Sequence, residues 1–411
     1  MSPAAPRRIF LADADAFYVA VARMIDPEGA GKAPLLIVGG SRESRGVVCS
    51  ASYETRKFGV RSAMPISRAL RLCPDALCVP VPRKACSEKS HEIREVLARF
   101  APIVEGASID EWYLDLAGTE GVYHNEALSV TAHRIRDEVK RETSLSVSIG
   151  GGTNKLVAKL AVERAKPKPG SGADGVHIVP PGNEAEFLKT FPLAEIPLIG
   201  PKFQERLAGF GMTMVPDVLQ YDAATLEAWF GKREAEWLWD RVRGISDSEV
   251  DPGGDAKSMS RDETFPRDIN DDRELERELV ALVTRVAFDL RTDGLAARTV
   301  TVRIRDMDFR TRSARRTLAQ PVVSDRILLK VTRELLSKLR AARRVPARLL
   351  GVAVSSLSED PDADQLTFFA ARADPDSDTL RDRVLSRAVD RVRAKFGAGS
   401  VMPGTLTPKE E

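Results

Sequence analysis

The residues best suited to chemistry lie in GASIDEWYLDL, positions 106 to 116. Asp110 and Glu111 stand side by side in a run otherwise built from Ile109, Trp112, Tyr113, Leu114 and Leu116. That composition predicts a strand, in which neighbouring side chains point to opposite faces. Two readings account for adjacent carboxylates there. In one, the acids mark a tight turn between two short strands and point into water. In the other they share a cation, because carboxylates clustered at a hairpin tip supply the few hard oxygen ligands that Mg²⁺ takes and leave room for water and phosphate oxygens.

The elements around this pair are legible. RRIFLADADAFYVAVARM begins as a strand at Ile9 to Ala12, is broken by Asp13 and Asp15, and continues as a helix through Phe17, Val21 and Met24. PLLIVGG (34–40) and RGVVCSAS (45–52) read as strands, and Tyr53 to Phe58 reads as a short helix closed by Gly59. Residues 88–100 and 127–142 read as helices, LSVSIGG (145–151) as a strand, and 154–166 as a helix stopped by Pro167. This mixed order predicts an α+β domain, a sheet covered by helices. Residues 187–244 are largely helical. In them IPLIGPKFQERLAGFG reads as a helix, a tight turn and a second helix, which offers backbone N–H groups to a phosphate.

The whole chain has 411 residues, 43% apolar, with a net charge of +2. Its length suggests two to four domains. The near-neutral total hides an asymmetry: residues 257–358 hold 22 Lys and Arg against 14 Asp and Glu. There, in TVTVRIRDMDFRTRSARRTL, Arg303 and Arg305 alternate with Val302 and Ile304, and Arg310 and Arg312 alternate with Phe309 and Thr311, with Arg315 following. On a strand this pattern puts arginines along one face, suited to the regular phosphates of a nucleic-acid backbone; a solvated face with scattered counterions is the plainer alternative. ISDSEVDPGGDA (245–256) is a linker by composition. Beyond 359 come a polar acidic stretch, QLTFF (365–369), and a helix at 378–396 whose Leu380, Val384, Ala388, Val392 and Phe396 share one stripe. QLTFF either docks into a partner's pocket or folds back onto the chain's own surface. The four cysteines lack metal-ligand spacing and read as reduced thiols of a cytosolic protein. No run reaches the ~18 apolar residues of a membrane span.

Taken in order, LADADAFYVAV, VVCSASYETRKFGVRSAMPI, SIDE and SIGGGTNKLVAKLAVERAKP resemble the motifs of the Y-family, DinB-like translesion DNA polymerases, and the likeness runs from about residue 7 to 369. The resemblance implies a right-hand α+β fold: palm at 1–23 and 83–172, fingers at 24–82, a helix-hairpin-helix thumb at 173–244, the linker, a DNA-binding little finger at 257–358, and a tail at 359–411. It implies a DNA-directed DNA polymerase of low processivity and low fidelity, without proofreading. Asp13, Asp110 and Glu111, with the backbone carbonyl of Ala14, would hold two Mg²⁺ ions. Ser50, Tyr53, Arg56 and Lys166 would contact the triphosphate of a dNTP, and Phe17 would pack under the nucleotide. Tyr18 would be the steric gate against a ribose 2′-OH, while Cys49 and Ala63 would roof the new base pair. Arg303, Arg305, Arg310, Arg312 and Arg315 would hold primer-template DNA. Gln365, Leu366, Phe368 and Phe369 would bind the replicative sliding clamp. A monomer in the bacterial cytoplasm, associated with the nucleoid, is the expected setting. Leu198 departs from the family, standing where a glycine is common, and so do Trp112 and Thr153. A catalytically weak DNA- and clamp-binding adaptor of the same fold is the alternative, though such a protein has no use for the three acids.

Overall fold

A computed structural model describes residues 6–41, 45–167, 172–254, 256–360, 375–397 and 399–406. They fall into two compact units, Met1–Gly254 and Asp255–Glu411.

The described residues of the first unit form eight strands: β1 (Ile9–Ala14), β2 (Leu36–Gly39), β3 (Val48–Ala51), β4 (Leu77–Val79), β5 (Ile103–Gly106), β6 (Glu111–Asp115), β7 (Val147–Gly152) and β8 (Val176–Ile178). A five-stranded sheet runs β5-β6-β1-β7-β8, with β1 antiparallel to both neighbours. Alternation along β1 builds two layers. Phe10, Ala12 and Ala14 join Trp112, Leu114, Val147 and Ile149 in a core shared with the helices Arg83–Ala98 and Leu128–Thr143. Ile9 and Leu11 face the other way and pack on Ala158 and Val162 of the helix Lys155–Ala165. That helix lies close on the sheet because Gly150 has no side chain; a Cβ there would run into Val162 N and Ala158 O.

A smaller sheet, β3-β2-β4, carries the segment between the helices Phe17–Ile25 and Arg83–Ala98. The helices of residues 184–241 enclose a third core around Phe191, Leu207, Val218, Leu226 and Leu238. Residues 176–178, which the resemblance puts in the thumb at 173–244, form an edge strand parallel to β7. The linker's residues 245–254 lie along the first unit, where Val250 packs between Ile9, Leu11, Ala158 and Val162 and the Asp251 N–H donates to Glu105.

The second unit is a four-stranded antiparallel sheet of β9 (Ser258–Ile269), β10 (Leu295–Asp306), β11 (Thr311–Val322) and β12 (Ala347–Glu359), in the order β11-β10-β12-β9. The helices Asp272–Thr292 and Asp325–Ala342 cover one face, where their Leu279, Val283 and Leu328 join Val302, Ile304 and Val352 of the sheet in one core. The tail helix Leu380–Phe396 forms as the periodicity predicts but docks through its charged face. Asp390 binds Arg291, Asp382 binds Arg326, and Arg383 binds Asp360. Its apolar stripe, Leu380, Val384, Val392 and Phe396, is turned to solvent. No described helix is long and apolar enough to cross a membrane.

Candidate active site

Asp13 is the last inward-facing residue of β1 on the side covered by the helix Lys155–Ala165. Its cross-strand partner is Glu111 on β6, and directly opposite residues share a face with their Cβ atoms about 5 Å apart. Asp110 is the last residue of the turn before β6; its carbonyl accepts the Ala14 N–H at 2.9 Å and its carboxylate accepts the Ser108 hydroxyl at 2.5 Å. Asp110 thus ends the turn and Glu111 begins the strand, and both half-buried side chains line one cleft.

Two lysines answer the acids. Lys166, capping the C-terminus of the helix Lys155–Ala165, lies 2.9 Å from Asp13 and 2.6 Å from Glu163. Lys159, two turns earlier on the same helix face, lies 2.6 Å from Glu111. Asp13 is only 6% exposed. Burial pushes its carboxyl up to about 6, with Lys166 opposing and Glu111 adding to the rise. Burial acts to lower the Lys166 ammonium, but the charges of Asp13 and Glu163 outweigh it and the net shift is upward.

One cleft of about 190 Å³ is lined by Asp13, Ala14, Phe17, Tyr18, Ser50, Tyr53, Arg56, Asp110, Glu111 and Lys166, and by Ala16, Cys49 and Ser62. Of the positions expected for metal, nucleotide and new base pair, all but Ala63 line this cleft. The Arg56 guanidinium stacks over the Tyr53 ring at 5.1 Å and its Nε donates to the Ala51 carbonyl at 2.9 Å, which fixes the fork at the cleft edge. The short helix carrying both is capped by Ser52, whose hydroxyl oxygen accepts the Thr55 N–H. Phe17 is buried and meets the Tyr18 ring edge-on at 5.6 Å, so Tyr18 stands on a rigid base. Burial, then the Asp110 charge, raises the Tyr18 phenol above its ordinary value, so it remains a neutral ring.

The donor set fits a divalent cation in kind: hard carboxylate oxygens at a cleft rim. Among the described residues no three acidic, His or Cys side chains converge on one point as they stand, because Asp13 is turned to Lys166, Glu111 to Lys159 and Asp110 to Ser108. Each ammonium group thus pairs with one of the acids, Lys166 with Asp13 and Lys159 with Glu111, while the Asp110 carboxylate accepts the Ser108 hydroxyl. Sequence reasoning missed Lys159, Ala16 and Ser108. The seven-residue spacing of Lys159 from Lys166 was the available signal. Ala16 takes a left-handed φ of 47° just before the helix Phe17–Ile25, and a lone alanine gives no such sign.

The arginines of the second unit separate into two groups. Register places Arg303, Arg305 and Arg315 on the open sheet face, beside Thr299, Thr301, Thr311, Ser313 and Thr317. Arg310 is exposed in the turn between β10 and β11. Arg312 is a correction. It pairs with Ile304, so it shares the helix-covered face, where it binds the fully buried Asp306 at 2.9 Å and the carbonyls of Leu339 and Arg343. The alternation expected from sequence breaks because the hairpin turn resets the phase between the strands. Gln365, Leu366, Phe368 and Phe369 lie outside the described residues.

Family models described as impB/mucB/samB family and impB/mucB/samB family C-terminal domain match residues 12–163 and 256–368. The chain is 34% identical to "DNA polymerase IV" of Dehalococcoides mccartyi (strain CBDB1), covering 97% of each chain. Among solved structures it is similar to a Y-family DNA polymerase chimera of Dbh and Dpo4, at TM-score 0.74 and 26% identity, covering 85% of this chain and 98% of that one. An insertion ternary complex of Dbh DNA polymerase matches at TM-score 0.59 and 25% identity over the same shares.

Proposed function

The chain belongs to the impB/mucB/samB family of DinB-like Y-family polymerases, and from that premise we propose that it adds dNMPs to a primer 3′-OH opposite damaged template, using Mg²⁺, with low processivity and low fidelity. Its class is that of a DNA-directed DNA polymerase involved in translesion synthesis. The observation that carries the mechanistic reading is the single cleft in which the three acids, Lys166, Arg56, Tyr53 and Tyr18 meet. In this reading the five-stranded sheet is the palm, the β3-β2-β4 segment the fingers, the helices of 184–241 the thumb and the second unit the little finger.

Asp13, Asp110, Glu111 and the Ala14 carbonyl would hold two Mg²⁺ ions, which when bound favour ionisation of the primer hydroxyl and neutralise the triphosphate. Phosphoryl transfer otherwise asks mainly for positioning. The Arg56 fork and Lys166 ammonium grip phosphate oxygens, Lys166 turning from Asp13 as they arrive. Tyr53 and Ser50 add hydroxyl donors. The helix Phe17–Ile25 has no side-chain cap, which leaves its first N–H groups available to an anion. Tyr18, held by Phe17, blocks a ribose 2′-OH. The open arginine and hydroxyl face of the second unit takes primer-template backbone, and a sliding clamp engages Gln365, Leu366, Phe368 and Phe369. Support for the clamp contact is the sequence pattern alone.

Primer extension with dNTPs tests this reading. The parent should extend a primed template with Mg²⁺ and stop when the metal is chelated, and Tyr18→Ala should raise rUTP and rCTP use at least about tenfold. A parent that binds primer-template DNA but never extends it would replace this reading with the adaptor.

A further inference from the structure

The open face of the second unit is a grid of four cross-strand rows. One reads Ser260, Ala353, Thr301, Arg315; the next reads Asp262, Gly351, Arg303, Ser313; a third reads Thr264, Leu349, Arg305, Thr311. The fourth is Ser258, Ser355, Thr299, Thr317. Among the described residues of these rows Asp262 is the one acid, set amid three arginines and many hydroxyls.

Its position has a structural cause. Asp262 and Arg303 lie on strands separated by β12, and residue 351 stands between them. That residue is glycine. The Asp262 carboxylate occupies the space a side chain there would fill, since a Cβ on Gly351 would run into Oδ1. Across this gap Oδ2 reaches Arg303 Nη1 at 3.7 Å, with both side chains partly exposed.

We propose that Asp262 is an affinity-limiting residue: it competes with DNA phosphate for Arg303 and shortens each stay on primer-template. This rests on the reading that the face binds DNA. To take a phosphate, Arg303 gives up its carboxylate, and Asp262 is then left facing the polyanion with a like charge. Both effects oppose binding and depend on salt. A chain that must leave DNA after short synthesis gains fast release from one residue, without losing the arginines that steer it there.

The test is equilibrium and stopped-flow binding of a fluorescent primer-template at two salt concentrations. Asp262→Asn should tighten binding roughly two- to fivefold at low salt, mainly through slower dissociation. Gly351→Ala, which keeps the charge but displaces the carboxylate from Arg303, should also slow dissociation. In an Arg303→Ala background the Asp262→Asn gain should shrink. Glu263→Gln, on the helix-covered side beside Arg285, controls for net charge. If Arg303→Ala weakens binding while Asp262→Asn leaves it unchanged, or matches Glu263→Gln, the competition is refuted and the DNA face stands. If Arg303→Ala leaves binding unchanged, the face reading fails and the inference with it.

Discussion

The cleft of the first unit and the open sheet face of the second both concentrate charge, by opposite means. In the cleft, charge is withdrawn from solvent and mostly paired, with Asp13 buried and Glu111 and Asp110 half-buried. Asp13 is held by Lys166 and Glu111 by Lys159, on a sheet and helix brought together by Gly150. On the sheet face the arginines are exposed and loosely partnered; Arg303 has only a 3.7 Å contact with Asp262. Buried charge is costly and keeps a fixed geometry, which suits a reaction that depends on positioning. Exposed charge is screened and exchangeable, which suits a grip on any DNA sequence. Arg312 marks the boundary between these regimes: it sits in the same strand as Arg315, yet it behaves like a cleft residue because Asp306 is buried beneath it.

That contrast can be broken at several points. Arg312→Ala should cost the second unit about 1–2 kcal/mol, less than orphaning a buried charge costs, because Arg343 still holds Asp306, with no change in the salt dependence of DNA binding. Urea unfolding and a salt titration measure both, and a reduced salt slope with intact stability would put Arg312 among the DNA contacts. Lys166→Ala should lower kcat/KM for dNTP roughly 10- to 100-fold, the worth of a charge-assisted contact, with primer-template affinity unchanged. An effect on DNA affinity alone would move Lys166 out of the nucleotide site.

Asp13→Asn should end catalysis yet stabilise the metal-free protein at pH 7, by on the order of 1–3 kcal/mol. The sign follows from burial. A carboxyl raised from 3.8 to about 6 favours folding when protonated, and that contribution is complete below about 4 and lost as pH rises through 6. The metal-free parent should accordingly lose stability between pH 4 and 6 relative to Asp13→Asn, and parallel pH–stability curves would contradict the assignment. The smallest effect is expected at Leu198, which holds a φ of 71° and is 79% exposed. Leu198→Gly should stabilise by about 0.5–1 kcal/mol, because relief of left-handed strain exceeds the added chain entropy. A loss of thermal stability would mean the turn is not strained.

Much of this was legible in the sequence. The strand and helix periods gave the α+β class, and the position of the acids gave the cleft's floor. Leu198 shows how a departure from a family pattern becomes physical: the turn keeps the backbone shape a glycine takes, with a leucine in it. Other features needed three dimensions. The phase of β11 relative to β10 depends on the turn between them, so the face of Arg312 was beyond strand alternation. The tail helix has an apolar stripe, but its ionic partners, Arg291 and Arg326, lie far away in sequence, and they decide which side is buried. The strand at 176–178 is too short to announce itself.

The proposed division of labour gives chemistry to the cleft acids and the hold on DNA to the exposed arginines. Single-turnover dNTP incorporation at saturating primer-template, with the DNA Kd measured alongside, tests it on Asp110→Ala and on Arg303→Ala/Arg315→Ala. Asp110→Ala should lose at least about 10³-fold in rate with Kd unchanged, while the double arginine variant should bind DNA more weakly and, once saturated, incorporate at the parental rate. A double arginine variant that stays slow at saturation, or an Asp110→Ala protein that still incorporates, would contradict it.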